Sequence, residues 1–461
     1  MEEWKEYRLG DIVNIRNGIA FKSKDFVSEG IPVIKIKNVK PNNVLLEDLS
    51  YISETTLKDN KKCFFLRPSD ILITMTGNRK DGGSDSWVGK VAQFKEKGRF
   101  LLNQRVSALQ IRDEDVADNV FLSYMLSSWD AQLYFINHSN SSGGQANISP
   151  DVVKNYIIYL PTLSEQKRIA TILSSLDSKI TINKKINSNL EEQAKALFKS
   201  WFIDFEPFKG GKFVDSELGM IPEGWKVVNL LDVSVLFDKR RKPLSGQQRQ
   251  KMEKLYPYYG ATSVMDYVDD YIFNGVYLLM GEDGSVVKSN GSPYLQYVSG
   301  KFWPNNHAHV MQGKNGYSTE MLWCLLDLTN VSSIVTGAVQ GKISQQSMQK
   351  IMVPLPTQEV CDRFNIIINP IFAEIRLLSE SSMWLSALRD TLLPKLMSGE
   401  IDVEHSKLLF ILRLRAILLS REDSMDTIFC CSFKGGNAIP QFMICFLSPR
   451  GIFVPFAPSI I

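Results

Sequence analysis

Two segments of the chain place apolar residues in steps of three and four, the rhythm of long amphipathic helices. The first covers about residues 164–202 and the second about residues 358–397. Such a stripe packs along a partner helix, so the segments are predicted to pair as an antiparallel coiled coil. Two unrelated surface helices are the alternative. The positions expected to pack are Leu173, Leu176, Ile180, Leu190 and Leu197 in the first helix, and Ile371, Ile375, Leu378, Leu385 and Leu392 in the second.

Polar residues and a proline interrupt these stripes. Asn183 and Asn187 fall on the first stripe, where polar interruptions commonly fix the register of a helix pair. Pro370 lies inside the second segment, and a kink or break is expected there because proline lacks a backbone N–H. Each segment follows Leu-Pro-Thr, at residues 160–162 and 355–357, and this proline suits the end of a preceding strand.

Shorter apolar runs before each long helix predict two mixed α/β units, related by a diverged internal repeat. Trp4 and Trp225 open the units at an offset of 221 residues (225 − 4). Asn147 and Lys342, each followed by Ile-Ser, stand at an offset of 195 (342 − 147), so the first unit is 26 residues longer (221 − 195). The predicted strands are residues 31–36, 71–75, 106–111, 157–160, 276–280, 308–311 and 351–353, and the predicted short helices are 118–130 and 319–328.

These elements indicate an α+β fold class, with two similar mixed α/β domains separated by two long antiparallel helices that form a coiled-coil spacer. The expected domains are residues 1–163 and 204–357, and the expected spacer helices are residues 164–203 and 358–402. Residues 403–461 form an atypical tail.

The amino-acid composition restricts the possible functions of the chain more than it restricts the possible folds. The 461 residues carry 53 Lys and Arg against 50 Asp and Glu, and a charge of +3 is too balanced for a purely electrostatic nucleic-acid binder. No apolar run reaches the ~18 residues that span a bilayer, and the acidic start is unlike a signal peptide. Cys63, Cys324 and Cys361 lie in apolar surroundings, which predicts buried free thiols in a reducing, cytoplasmic setting.

Polar, basic and glycine-rich clusters recur at corresponding places of both units and predict contact with DNA. Arg and Lys donate to guanine, Asn and Gln pair with adenine, and glycine lets the backbone approach phosphate. Any single cluster could be an ordinary solvated loop, and the recurrence is what favours DNA. The candidates in the first unit are Lys35, Lys37, Asn38, Arg79, Lys80, Asn103, Gln104, Arg105, Gln145 and Asn147. Those in the second unit are Lys239, Arg240, Arg241, Lys288, Asn306, His307, His309, Gln340 and Lys342.

Motifs of catalysis do not stand out in the sequence. Residues 337–342 are one residue short of a phosphate-binding loop, and residues 369–372, which faintly resemble an amino-methyltransferase signature, lie within a helical stripe. No Ser-His-Asp order or carboxylate cluster is visible. His307 and His309 could bind a metal, but DNA contact or plain surface is favoured because no neighbouring Cys or carboxylate supports a site. We expect no catalytic residue, metal or cofactor of its own.

With these features the chain resembles the specificity subunit of type I restriction–modification systems, over about residues 1–403. The tryptophan motifs that open the units (Trp4 with Leu9-Gly10-Asp11, and Gly224-Trp225-Lys226) are only weakly specific. Residues 193–202, which end the first long helix, also match. The specific matches are Glu165-Gln166-Lys167-Arg168-Ile169, and Leu392-Leu393-Pro394-Lys395-Leu396-Met397-Ser398-Gly399-Glu400-Ile401. Residues 359–361 depart from the pattern, because a Lys or Arg pair is usual there.

The resemblance implies two target-recognition domains, each recognising one half of an asymmetric, split sequence in double-stranded DNA. The paired helices would set the gap between the half-sites. Two modification subunits with S-adenosylmethionine, and restriction subunits that use ATP and Mg²⁺, would be the partners, so the chain itself would not be an enzyme. The alternatives are a coiled-coil scaffold that binds protein, a stand-alone restriction enzyme or fused methylase, and a degenerate, inactive specificity subunit.

The tail departs from this family, whose members usually finish near residue 403. Residues 407–419 are apolar and basic, and three of the six cysteines lie at 430, 431 and 445. At 13 residues the apolar run is too short to span a membrane. Frameshifted or read-through translation is favoured over a short docking helix, with a membrane-surface helix third, and the tail is expected to be poorly ordered.

Overall fold

The computed structural model describes residues 4–59, 64–79, 86–142, 145–337, 340–401, 445–447 and 453–455. The chain forms two compact units. The first contains the residues up to 169 and those from 394 onward, and the second contains residues 170–393. Cys63, Lys80 and most of the predicted tail lie outside the described residues, although Cys445–Leu447 and Phe453–Pro455 pair as antiparallel strands.

The first unit is built from short strands and short helices. The elements are β1 (Lys5–Arg8), α1 (Leu9–Ile12), β2 (Val13–Asn17), β3 (Phe26–Val27), β4 (Ile31–Ile34), β5 (Val39–Lys40), β6 (Asn43–Val44), β7 (Ser50–Ile52), α2 (Glu54–Asp59), β8 (Ile71–Thr74), β9 (Thr76–Gly77), β10 (Val91–Gln93), β11 (Leu101–Leu102), β12 (Val106–Ile111), α3 (Asn119–Leu126), α4 (Trp129–Asn137), β13 (Asn140–Ser142), β14 (Gln145–Asn147), α5 (Pro150–Lys154) and β15 (Ile157–Leu160). The central sheet has the antiparallel order β10-β8-β12-β2. A second sheet has the order β11-β4-β7-β3, in which β11 and β4 are parallel.

The long helix α6 (Leu163–Phe202) leads from the first unit into the second. The elements that follow are β16 (Phe213–Val214), β17 (Ile221–Pro222), β18 (Lys226–Asn229), β19 (Ser234–Leu236), α7 (Gly246–Gln250), β20 (Tyr256–Tyr259), β21 (Val264–Val268), β22 (Phe273–Asn274), β23 (Tyr277–Gly281), β24 (Asp283–Gly284), β25 (Leu295–Val298), β26 (Lys301–Pro304), β27 (Ala308–Gly313), α8 (Thr319–Asp327), β28 (Gly341–Lys342), α9 (Gln345–Met348), β29 (Met352–Leu355) and α10 (Gln358–Met397). The central sheet has the antiparallel order β25-β23-β27-β19. In the second sheet, β21-β20-β26-β22, β20 and β26 are parallel.

The two units share one topology, which confirms the internal repeat. Their central sheets have the same order, β1–β15 corresponds to β18–β29, and β9–β14 corresponds to β24–β28. Equivalent backbone hydrogen bonds match Ile34 with Tyr259 (offset 225, 259 − 34) and Met75 with Glu282 (offset 207, 282 − 75). The extra length of the first unit therefore lies mainly between β4 and β8.

The Ile-Ser anchors of the repeat have the same structural role in both units. Ser149 caps α5 and Ser344 caps α9, because each hydroxyl accepts a hydrogen bond from the backbone N–H three residues later. The preceding Ile148 and Ile343 are buried. Each anchor thus ends an extended segment in the core and starts a short helix.

Helices α6 and α10 pack together within the second unit and run antiparallel, as predicted. Arg389 Nη1 donates to Asp177 Oδ1 over 2.7 Å, whereas the Phe198 ring, further along α6, lies 6.0 Å from the Phe364 ring, near the start of α10. Among the predicted packing positions, Leu173, Ile180, Ile375 and Leu392 are buried, and Leu176, Leu190, Leu197, Ile371, Leu378 and Leu385 are half-buried.

The tryptophans that open the units are packing residues. Trp225 is buried, with ring centroids 5.7 Å from Phe202 and 5.1 Å from Phe208, so it fastens the start of the second repeat to the end of α6. In the first unit the Trp4 ring meets Phe121 edge-on at 6.3 Å. Aromatic pairs of this geometry add to the free energy of simple area burial.

Two predicted features of the helices are wrong. Residues 118–130 form two helices, α3 and α4, because the Ser127 hydroxyl bonds back to Ser123 O and the Ser128 hydroxyl caps the next helix. Of the kink or break predicted at Pro370, the break does not occur, because helix α10 is continuous from Gln358 to Met397. Pro370 and Ile366, four residues earlier, are both exposed, so the carbonyl group that loses its N–H partner is on the side that water reaches.

Two of the predicted buried thiols are confirmed, at Cys324 and Cys361. Burial raises the pKa of the Cys361 thiol to about 11 and raises that of Cys324 still further, so both side chains are neutral packing groups. No helix among the described residues combines the length and the apolar character that crossing a bilayer would require.

Candidate nucleic-acid interface

Three segments of the first unit converge where β8 ends and β12 begins, and we call this place the edge of the unit. The segments are the end of β8 with β9, the residues just before β12, and β14. Met75 N donates to Arg105 O over 2.9 Å, and β9, which follows, pairs with β14. The Arg105 guanidinium donates to Gln145 Oε1 over 3.3 Å. Gln104, Arg105 and Gln145 are all exposed. The structure thus brings together predicted contact residues that are 40 positions apart in the chain.

Other predicted residues of the first unit support this edge. Thr76 Oγ1 donates to Asn147 Oδ1 over 2.8 Å, which ties the turn after β8 to the strand β14. Arg79, in the turn after β9, donates to Ser139 O over 2.7 Å, so this turn is held against the segment before β13. Asn103 is half-buried at the start of the turn that leads to Arg105.

The predicted contact residues Lys35, Lys37 and Asn38 lie away from this edge. The two lysines make their contacts beside β3 and the segment before β7. Lys35 Nζ lies 3.5 Å from the centre of the Phe26 ring, and Lys37 forms an ion pair with Asp48. Burial and the charge of Lys37 lower the pKa of Lys35. Asn38 is buried and donates to Leu45 O over 3.1 Å, so its amide serves a loop rather than a ligand.

The second unit assembles an equivalent edge. Glu282 N donates to His307 O over 2.8 Å, and Ile343 N donates to Glu282 O over 2.8 Å. Strand β24 pairs with β28, as β9 pairs with β14 in the first unit. Asn306, Gln340 and Lys342 are exposed here.

Arg241 joins the basic turn after β19 to this edge. Its Nη1 donates to Glu282 Oε2 over 2.8 Å and to Ala308 O over 2.6 Å, and its Nη2 lies 3.6 Å from Asp238 Oδ2. Only 12% of the Arg241 side chain is exposed. Its neighbours differ, because Lys239 is exposed and the Arg240 guanidinium lies 4.4 Å from the centre of the Phe273 ring.

The two histidines on this edge have different environments. His307 pairs with Asp283, and 45% of its side chain is exposed. His309 is 1% exposed, and its ring nitrogens lie 2.6 Å from Asp238 Oδ2 and 2.7 Å from Ile343 O. His309 therefore lies in the interior beneath the edge, and we assign its contacts to the protein.

Asp238, Glu282 and His309 place their ligand atoms within 4.8 Å of one another, a spacing that a metal ion could use. Arg241 already lies against both carboxylates, and Gln345 Nε2 donates to Asp238 Oδ2 over 2.7 Å. A divalent cation would have to displace this guanidinium. The cluster is therefore an ion-pair network that connects four segments of the second unit.

Lys288 lies outside this network. It pairs with Asp327 over 2.7 Å, and with Glu191, Lys195 and Arg376 it lines a cavity of about 390 Å³ beside the helices of the second unit. The structure therefore separates Lys288 from the other predicted residues of its unit.

Sequence reasoning missed the acidic members of the network, Asp238 and Glu282, because no motif marks them. The repeat offset nevertheless linked Asp238 to a polar residue of the first unit. The offset of 221 that matches the opening tryptophans also matches Asp238 with Asn17 (238 − 17), and these residues occupy equivalent positions beside β27 and β12.

The chain is similar to proteins of one family across both repeats. The family model for the type I restriction modification DNA specificity domain matches residues 1–192 and 222–371. The MjaIX specificity subunit of Methanocaldococcus jannaschii is 26% identical over 437 residues, which cover 88% of this chain and 95% of that protein. The EcoBI specificity subunit of Escherichia coli is 29% identical over 183 residues, 38% of this chain and 34% of that protein.

A solved structure shares the fold. The crystal structure of the S subunit of a type I restriction–modification system from M. genitalium aligns with a TM-score of 0.51 at 16% identity, over 85% of this chain and 96% of that one. The family model covers well over half of the chain and includes both repeats. The chain therefore belongs to the family of type I restriction–modification DNA specificity subunits, the non-catalytic components that recognise the DNA target.

Proposed function

We propose that the chain recognises a bipartite, asymmetric sequence in double-stranded DNA, with residues 1–163 binding one half and residues 204–357 the other. The observation that carries this proposal is the repeated edge. In each unit the end of one central strand, the start of the next and a paired glycine-rich segment meet, and polar side chains are exposed there. Two different domains multiply their specificities, since each wrong base pair costs about 1–3 kcal/mol.

The exposed members of each edge are proposed to contact bases. In the first unit these are Gln104, Arg105 and Gln145, and in the second unit Asn306, His307 and Gln340. Arg pairs with guanine and Asn or Gln with adenine through two hydrogen bonds, and neutral His can donate or accept one. The proposed phosphate contacts are Lys35, Lys37, Arg79 and Lys80 in the first unit, and Lys239, Arg240, Lys288 and Lys342 in the second.

Four predicted residues are proposed to act through the residues that they hold. Asn38, Asn147, Arg241 and His309 are buried or half-buried, and their polar groups bond to neighbouring loops. Asn103 is proposed to join them, because it begins the turn that presents Gln104 and Arg105. Such residues shape an interface without entering it.

The partners and cofactors follow from the family. We propose that two modification subunits, which carry S-adenosylmethionine, and restriction subunits, which use ATP and Mg²⁺, assemble on this chain. A net charge of +3 is small for a DNA-binding chain, so the partner subunits are proposed to supply much of the phosphate contact. The helix pair is proposed to set the number of base pairs between the half-sites.

The proposal is tested by determining which bases of the host DNA are methylated. The chain is expressed with its cognate modification subunit in a methylation-free host, and the DNA is sequenced with detection of modified bases. We expect a split motif with methyladenine in both halves, which disappears when this chain is omitted. A soluble complex that methylates no new motif would contradict the proposal and favour a scaffold or an inactive subunit.

A further inference from the structure

The side chain of His309 faces a hydrogen-bond acceptor at each ring nitrogen. Nδ1 lies 2.6 Å from the Asp238 carboxylate, and Nε2 lies 2.7 Å from the carbonyl oxygen of Ile343. A neutral imidazole has a single N–H and would leave one acceptor facing a lone pair. Asp238 also accepts hydrogen bonds from Val310 N and Gln345 Nε2, which favours its ionised form, and with Asp238 ionised only the imidazolium donates to both acceptors. The geometry therefore favours a buried, positively charged ring.

The charges around His309 favour this protonation state. Burial lowers the pKa of His309. The opposite effect is larger and comes from the hydrogen bond and charge of Asp238, the Ile343 carbonyl and the charge of Glu282, so the pKa lies above its usual value. The pKa of Asp238 is lowered in turn: burial raises it, but His309 and the N–H groups of Val310 and Gln345 lower it by more. Two cations also face the pair, Arg241 and Lys342, and each lies against Glu282.

His309 bonds directly to a segment proposed to contact DNA. Ile343 follows Lys342, the last residue of β28, and Gln340 precedes that strand. The backbone N–H of Ile343 is bonded to Glu282 O, so the His309 bond to the Ile343 carbonyl is the second attachment of this residue. Lys342 is also bonded to Thr336 through both backbone groups, and the Ile343 side chain is buried, so the His309 bond adds one more attachment at the residue that follows β28.

The first unit uses a neutral pair at the same place. Ser107 and Asn17 occupy the positions equivalent to His309 and Asp238, and Ser107 Oγ donates to Asn17 Oδ1 over 2.8 Å. Neither side chain titrates in the range where histidine does. The charged form of this contact therefore belongs to the second unit alone.

We propose that His309 is a positioning residue whose imidazolium holds β28, and thereby Gln340 and Lys342, in the geometry that recognises the second half-site. The proposal rests on the proposed DNA contacts of that segment. Its consequence is that discrimination at the second half-site depends on pH, whereas discrimination at the first half-site does not.

The direction of the pH dependence follows from the raised pKa. Because the folded protein binds the proton more tightly than an exposed histidine does, the contact is complete below the ordinary pKa of about 6.5. It is lost as the pH rises through the pKa of the folded state. Discrimination at the second half-site is therefore expected to weaken on the alkaline side.

The test uses the complex of the full chain with its modification subunit and the motif found by the methylome. Fluorescence anisotropy gives the affinity for the cognate duplex and for duplexes with one base pair changed in either half, from about pH 6 to about pH 9, a range that spans histidine titration. We expect discrimination in the second half to fall about tenfold across this range, the equivalent of one lost contact. Discrimination in the first half should stay constant.

A matched variant exchanges the charged pair for the neutral pair of the first unit: Asp238→Asn with His309→Ser. It should melt as one cooperative transition and lose the part of the pH dependence that His309 contributes. The variant keeps His307, so any pH dependence that remains in the second half comes from other groups. A wild-type profile that is flat, or that changes equally in both halves, would overturn the proposal. So would a zinc-induced rise in Tm that needs His309, since that would make the cluster a metal site.

A second measurement does not involve DNA. Only four histidines occur in the chain, so selective ¹⁵N labelling of histidine gives a simple spectrum, and the variant identifies the His309 signals. Both ring nitrogens of His309 should be protonated at neutral pH. A protonated ring in a complex that binds no specific sequence would refute the proposed function but not the charge state, whereas a neutral ring would refute the inference itself.

Discussion

Three adjacent basic residues after β19 show how environment separates similar side chains. Lys239 is exposed, Arg240 lies over the Phe273 ring, and Arg241 is enclosed by Asp238 and Glu282. All three are equivalent in the sequence as candidate contacts to DNA. In the structure, Arg241 neutralises two carboxylates and donates to a backbone carbonyl, so its role is to hold the edge together.

Removal of Arg241 is expected to destabilise the fold. Arg241→Ala leaves Glu282 without its nearest cation and Asp238 with His309 as its remaining cationic partner, and breaking a buried ion pair in this way costs about 3–5 kcal/mol. Thermal or urea denaturation of the complex measures the loss. Lys239→Ala is the matched control: it should leave Tm unchanged and lower the salt dependence of DNA affinity by about one phosphate contact. Equal Tm values for both variants would refute the assignment of Arg241.

Arg105 is expected to behave as a base-contacting residue. Arg105→Ala should weaken binding to the cognate duplex by about 1–3 kcal/mol and relax specificity at one position of the first half-site. Anisotropy with single-base variants of the motif measures both effects. Arg99→Ala, which removes an exposed arginine paired with Glu54, is the control and should change neither. A uniform loss of affinity for all duplexes would instead make Arg105 a phosphate contact.

At the scale of elements, the helix pair has a polar section in an otherwise apolar stripe. Asn183 is fully buried on α6, and its Nδ2 lies 3.3 Å from Ser382 Oγ on α10. Asn187 Nδ2 donates to Ser379 Oγ over 2.9 Å. Among the described residues, neither asparagine Oδ1 has a hydrogen-bond partner. The sequence predicted that these asparagines lie on the first stripe. Ser382 falls on the second stripe, between Leu378 and Leu385, but no local pattern pairs it with Asn183.

Asn183→Leu is expected to stabilise the helix pair and to loosen its register. Relief of an unsatisfied, buried polar atom is worth about 1–3 kcal/mol, so Tm should rise. A polar residue in an apolar seam specifies one alignment, and its loss permits others. In the methylome of the variant we therefore expect a second gap length between the half-sites. Asn189→Leu changes an exposed asparagine of the same helix and should do neither. A lower Tm for Asn183→Leu would contradict this account.

At the scale of the whole molecule, the described part of the chain contains both repeats and both long helices. Helix α10 is closed by backbone hydrogen bonds from Ser398 to Pro394 and from Ile401 to Lys395. Leu396, in its last turn, is 1% exposed. Both long helices and both repeats thus lie within residues 4–401.

A chain ending at Val403 is expected to methylate the same motif as the full chain. The measurement is the methylome of the shortened chain with the modification subunit, together with its soluble yield. A chain ending at Leu393 is the control, because it loses the buried Leu396 and should be less stable by about 2–5 kcal/mol. Loss of the motif by a folded chain ending at Val403 would assign a function to the tail.

The sequence by itself determined the long helices, the two inner strands of each central sheet and the repeat, because these depend on local periodicity and on motifs such as Ile-Ser and Leu-Pro-Thr. Single-residue signals were weaker: Ser127 and Ser128 divided one predicted helix, and Pro370 did not break another. Only the tertiary structure decided which candidates face solvent. Asp238 and His309 are 71 residues apart, and burial and charge pairing depend on segments that meet only after folding.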